Sequence, residues 1–169
     1  MASGISIYYN KTNRREYWLL RFLAWITPLH SGFVRRNRIA WGLSTKDLQA
    51  FPEGTLGNSL GNFLYEHGLE PVDKAERHDC FHVLLKFGTS MIEETKMQWF
   101  LVGSGKLSLF TTGSAILALC VLPENAKLYY KAFMQGRKSV CIDNWNFYKL
   151  LNCNTAQLQH LIFNTNEHS

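Results

Sequence analysis

Little of this sequence is charged. Of its 169 residues 18% are charged and 46% hydrophobic, an apolar balance that points to a greasy or self-associating surface. None of its cysteines, Cys80, Cys120, Cys141 and Cys153, forms a Cys-x-x-Cys pair, which argues against a zinc finger. No secretory signal is recognisable, so the expected setting is reduced and cytoplasmic, with the cysteines as buried packing residues. No apolar run reaches the roughly 20 residues of a membrane span; the 107–122 run has 16. There is no internal repeat, low-complexity stretch or clear linker, so one helical domain over 1–169 is expected, with 1–10 as a flexible arm. No recognised binding module accompanies the basic charge, so nucleic acid is not an expected partner.

The formal net charge of +5 is concentrated early, at Lys11, Arg14, Arg15, Arg21, Arg35, Arg36 and Arg38. Tyr17, Trp18, Phe22, Trp25 and Phe33 interleave with these cations. Such a stretch can lie peripherally on an anionic inner-membrane surface, or be an ordinary helix with a solvated basic face.

Helical spacing and end signals dominate, so the expected class is all-α: a helical bundle with a long apolar central helix and a lipid groove. Helices are expected over 12–27, 44–50 (capped by Ser44 or Thr45), 57–67, a segment after Asp73 carrying the histidines, 90–102, 106–121, 123–136 with Gly136 just past its end, and 154–163. Residues 139–148 are the one place for a short extended piece. In the apolar run, Ser108, Thr111, Thr112, Gly113, Ser114, Ala115 and Ala118 leave room for an apolar slot, or let another helix approach closely.

The chemistry is concentrated in His78-Asp79-Cys80-Phe81-His82, followed after eleven residues by Glu94. His78 and His82 are one helical turn apart and Asp79 precedes His82 by three, so the three can converge beside one helix. Glu94 can join them only if the chain bends, because on one straight helix it would stand about 18 Å beyond His82. Phe87-Gly88-Thr89-Ser90 offers that bend. Imidazole nitrogens with carboxylate oxygens suit zinc, manganese or iron, and a carboxylate-rich shell also suits magnesium. A His-Asp doublet is also the mark of HD-type metal-dependent phosphohydrolases, which need further His and Asp ligands on other helices.

Phe51-Pro52-Glu53-Gly54-Thr55-Leu56-Gly57 resembles the Leu-Pro-Glu-Gly-Thr-Leu-Gly element of the coenzyme Q (ubiquinone) biosynthesis protein 4 family. In that family the element precedes a His-Asp-x-x-His segment and, after eleven residues, a Glu, matching His78, Asp79, His82 and Glu94. Arg77 is similar to the basic position upstream of the doublet, and Gln135-Gly136-Arg137-Lys138 to a later Gly-Arg-Arg element. Phe51 stands for Leu, Glu93 for the Gly before the final Glu, and Gln98-Trp99-Phe100-Leu101 for Lys-Trp-Phe-Glu, which marks a divergent branch. Glu93 and Glu94 are adjacent carboxylates, and Glu94 is favoured because it keeps the spacing.

The resemblance implies a divalent metal held by His78, Asp79, His82 and Glu94, and a groove for a polyprenylated quinone precursor or other long-chain lipid. It further implies oxidative decarboxylation of the precursor ring, a peripheral place on a membrane, a homodimer, and association with other quinone-biosynthesis proteins. The alternatives are a non-catalytic lipid-binding scaffold for those enzymes and the HD-type phosphohydrolase.

Overall fold

The computed structural model describes residues 14–19, 21 and 39–164, and these are helical with no strand among them. Helix α1 is described over 14–19. It is followed by α2 (Thr45–Gln49), α3 (Leu56–Glu66), α4 (Glu76–Leu85), α5 (Met91–Gly103), α6 (Leu109–Val121), α7 (Ala126–Arg137) and α8 (Thr155–Phe163). Most of the basic aromatic segment 11–38 lies outside the described residues.

Most helix starts follow from short polar side chains that accept from otherwise unpaired backbone N–H groups. Ser44 caps α2 in a reciprocal box with Asp47, Thr55 caps α3, Ser90 caps α5, Ser108 caps α6 and Asn154 caps α8. Helices α4 and α7 start without a side-chain cap bond; the N-cap of α4 is Ala75, so Asp73 does not cap it. Instead the buried Glu76 accepts from the Trp41 backbone N–H at 2.9 Å, tying the segment before α2 to the start of α4.

The Pro52–Gly57 run is a structural latch. Gly54 has φ +78, a conformation that disfavours a Cβ. Its carbonyl accepts from Thr155, and the Leu56 and Gly57 amides donate to the carbonyls of Cys153 and Leu151. The start of α3 is thereby joined to the start of α8, which packs on α4; Gln159 of α8 donates to the Val83 carbonyl at 3.0 Å.

Helix α5 packs most extensively on α7, and two glycines set the approach. A Cβ at Gly103 would strike the Phe133 carbonyl, and one at Gly136 the Phe100 carbonyl. Gly136 therefore lies inside α7, which runs on to Arg137, and does not follow its end. The close packing outweighs the local stop signal. Leu60, Leu64, Phe81, Leu84, Met97, Phe100, Ile142 and Ile162 are among the buried residues of the core below.

The apolar run forms neither a long nor a central helix. Helix α6 has 13 residues and turns Thr111, Ser114, Ala115 and Ala118 inward, while Leu109 is 97% and Ile116 50% exposed. The small side chains let α5 come close, with Ser114 donating to Gln98 at 2.9 Å, so they do not hollow out a slot. Two cavities, about 490 and 610 Å³, lie elsewhere and neither is bordered by α6. No single helix among the described residues is long and apolar enough to cross a membrane. Two further expectations are corrected. Residues 139–148 form no strand: Asp143, Asn144 and Asn146 favour turns, and a 3₁₀ turn follows at Phe147–Leu150. Cys80 is buried and Cys153 half-buried, but Cys120 and Cys141 are exposed, because they fall on outward positions of α6 and of the loop after α7.

The glycine crossing gives a paired prediction. Ala is intrinsically better than Gly in a helix by up to about 1 kcal/mol. At the open position of Gly113, Ala should therefore raise stability by a few tenths to about 1 kcal/mol. Gly136→Ala should lower it by about 1–3 kcal/mol, because the backbone of α5 must move. Urea denaturation of both variants reads the opposite signs.

Candidate metal centre

The site depends on how α4 ends. After Leu85 the chain turns at Lys86, whose φ of +58 is left-handed and stops the helix. Residues 87–90 then lead to the Ser90 cap, and α5 begins beside α4. Glu94 thus returns to the histidines that it would have passed on a straight helix. It sits in the first turn of α5, where the helix dipole favours a carboxylate, while His82 sits in the last turn of α4, where the dipole favours a cation.

Glu94 spans the two rings. Its Oε1 is 3.0 Å from His82 Nε2 and its Oε2 is 3.4 Å from His78 Nε2. One donor atom from each of His78, His82 and Glu94 lies within 4.8 Å of the others, the one such group of three or more among the described residues. Asp79 is outside this group; its Oδ1 is 3.7 Å from His78 Nδ1, the far side of that ring. Glu93 is occupied elsewhere, with Lys96 2.6 Å from its Oε1. Arg77 joins Asp143 at 3.1 Å and stacks over Phe81 and Phe147.

Sequence reasoning missed two neighbours. The Phe87 carbonyl lies 3.0 Å from His82 Nδ1, and Phe63 of α3 stacks on the His82 ring with centroids 5.4 Å apart. Neither leaves a ligand-like signature, because one acts through its backbone oxygen and the other through an apolar face. Their effect is specific. A carbonyl can only accept, so Nδ1 carries the proton and Nε2 is the atom turned toward Glu94. His82 is only 3% exposed, which keeps that orientation fixed.

Two imidazole nitrogens facing one carboxylate need a cation between them, either protons or a metal ion. At ligand distances of about 2.1 Å, neighbouring donors in a tetrahedral or octahedral shell stand roughly 3.0–3.4 Å apart. The two His–Glu spacings, 3.0 and 3.4 Å, fall in that range. With one donor atom from each of the three within 4.8 Å of the others, the set could hold a divalent ion of the zinc, manganese or iron type with open positions.

Without a metal, protons fill this role. Burial among neighbours works against charge on His78, but hydrogen bonds to Asp79 and Glu94 and the charges of both hold its imidazole up to about 10. Burial likewise opposes charge on Glu94, yet hydrogen bonds from His78 and His82 bring it down to about 2.

A protein of Danio rerio named "Ubiquinone biosynthesis protein COQ4 homolog, mitochondrial" is 32% identical to this chain over 104 aligned residues. The chain is thus similar, over about half of its length, to a coenzyme Q biosynthesis protein 4 homologue. The match covers 49% of the chain and 38% of the relative, so the chain spans well under two thirds of the length of the curated relative it matches. No family model matches it. A crystallised candidate ubiquinone biosynthesis protein from Nostoc punctiforme PCC 73102 shares the fold at a TM-score of 0.55. It is 17% identical, and the superposition covers 89% of this chain and 82% of that one.

The pH response of the metal-free centre follows from the two shifts. Glu94 is lowered, so its contribution to stability is complete above about 4.5, the unfolded value, and is lost as pH falls toward 2. His78 is raised, so its contribution is complete below about 6.5 and is lost as pH rises toward 10. The His78 side chain is 46% exposed and water screens the pair, which limits the effect to about 1 kcal/mol or less. In chelator, the loss of stability between pH 6.5 and 10 should be smaller in His78→Gln than in the parent; equal slopes in denaturant titrations would contradict this.

Proposed function

We propose that this protein acts in quinone biosynthesis as a divalent-metal-binding and prenyl-lipid-binding protein, and that at the His78–His82–Glu94 centre it oxidatively decarboxylates a prenylated ring precursor, with dioxygen as the external oxidant and source of the ring hydroxyl and CO₂ as the leaving group. The observation that carries the reading is the convergence of Nε2 of both histidines on the carboxylate of Glu94. Support for the pathway comes from the ubiquinone-biosynthesis relative.

Bound there, a divalent metal supplies Lewis-acid polarisation of a substrate oxygen. The chain's own residues prepare the site. Phe87 and Phe63 hold His82 in one tautomer and one orientation. Asp79 faces His78 Nδ1 and orients that ring, so its expected role of ligand is recast as one of positioning. Glu94 supplies the charged oxygens. His78 is the most exposed of the three donors and marks the side from which a precursor arrives.

An HD-type phosphohydrolase fits less well, because no His or Asp from a further helix joins the group among the described residues. A peripheral membrane position is supported by the outward Leu109 and Ile116 of α6, a helix without a charged side chain, and by the exposed Leu107 just before it. A homodimer and other quinone-biosynthesis proteins remain the proposed partners, again on the strength of exposed apolar surface.

Native mass spectrometry and elemental analysis of protein purified without chelators test the centre and its lipid together. One divalent ion per chain is expected, lost in His82→Ala. Asp79→Asn should keep the site but weaken metal affinity roughly 10–100-fold, the usual cost of losing a group that orients a ligand. Full metal occupancy in His82→Ala would sink the assignment. Metal-dependent release of CO₂ from a prenylated hydroxybenzoate by the purified protein separates an enzyme from a scaffold; a lipid-loaded protein without turnover is the scaffold.

For the membrane, flotation with anionic phosphatidylglycerol vesicles should carry the protein upward, and Leu109→Asp/Ile116→Asp should reduce the floated fraction. A parent protein that stays wholly in the soluble fraction contradicts membrane contact.

A further inference from the structure

An open cleft of about 490 Å³ is bordered by the end of α4, α5, α7 and α8. It shares Phe87 with the histidine cluster but contains none of the cluster's donor atoms. Three ammonium groups line it, from Lys86, Lys96 and Lys131, and no carboxylate does. Lys96 is already neutralised by Glu93 at 2.6 Å and lies 5.5 Å from the Phe87 ring centroid. Lys86 and Lys131 have no ion-pair or hydrogen-bond partner among the described residues. They come from helices far apart in sequence, α7 and the left-handed end of α4, and the fold brings both to one opening.

A solvated basic face would account for lysines on a flat surface. Here the walls between the lysines are apolar: Phe87 is 7% and Ala132 3% exposed, with Phe163 beside them. Cations at the rim of a low-dielectric hollow concentrate anions there. The apolar walls give a hydrocarbon body somewhere to leave water, which a bare inorganic anion cannot use. Pockets of several hundred Å³ are the size class that holds such small molecules.

We propose that this cavity binds an anionic amphiphile, a carboxylate or phosphate head on an apolar body of roughly ten carbons. The head sits between Lys86 and Lys131, with the body against Phe87 and Phe163. The site stands apart from the metal centre and does not depend on metal being bound.

Isothermal titration calorimetry on the whole chain tests it, with and without EDTA and below micelle-forming concentrations. The probes are decanoate, decyl phosphate, neutral decyl maltoside and inorganic phosphate, and vesicles of phosphatidylglycerol provide a lipid headgroup. Binding of decanoate or decyl phosphate is expected, weakened at least about tenfold in Lys86→Glu/Lys131→Glu. Both lysines are exposed, and circular dichroism checks that the double variant is folded. A carboxylate preference or a phosphate preference identifies the head, and either supports the proposal. Equal affinity in the double variant, equal affinity for decyl maltoside or for inorganic phosphate, or binding to vesicles alone overturns it.

Discussion

The left-handed turn at Lys86 is the constraint on which the centre depends. It ends α4 one turn after His82 and lets Ser90 start α5 alongside. Without that reversal Glu94 would travel away from the histidines at about 1.5 Å per residue. With it, the negative end of one helix dipole, beside His82, and the positive end of another, beside Glu94, meet. The same turn exposes the Phe87 carbonyl to His82 Nδ1, so one backbone reversal both gathers the donors and sets the tautomer of the buried one.

Helix α5 then serves three surroundings at once. Its first turn carries Glu94 toward α4. Its Gln98 accepts from Ser114 of α6. Its far end crosses α7 through Gly103 and Gly136, where each glycine meets a carbonyl of the other helix. In the Gln98-Trp99-Phe100-Leu101 stretch every residue is engaged in this packing: Gln98 with α6, Trp99 against Phe133 of α7, and Phe100 and Leu101 in the core.

Much of the helical layout was legible in the chain. Ser44, Thr55, Ser90, Ser108 and Asn154 mark helix starts because a short polar side chain can reach the first free amides. Where local signals conflicted with packing, packing prevailed. Gly136 reads as a stop but is a notch, and Asp73 reads as a cap but stands clear of an α4 anchored through Glu76 instead. The apolar run reads as a central helix, yet its small residues are buried and its large ones exposed, because close approach to α5 admits only the small face.

The sequence by itself determined which donors are available and how far apart they stand along the chain: two imidazoles one helical turn apart, an adjacent Asp, and adjacent carboxylates after a weak spot at 87–90. Spacing along a helix is fixed by its geometry, so that much needs no fold. Only the tertiary structure decided that Glu94 faces the rings while Glu93 faces Lys96, that Asp79 lies behind His78, and that a carbonyl from the turn holds His82. Those choices rest on the angle between two helices and the path of a four-residue connection. Such quantities are set by the packing of α3, α5 and α7, which no local pattern of residues contains.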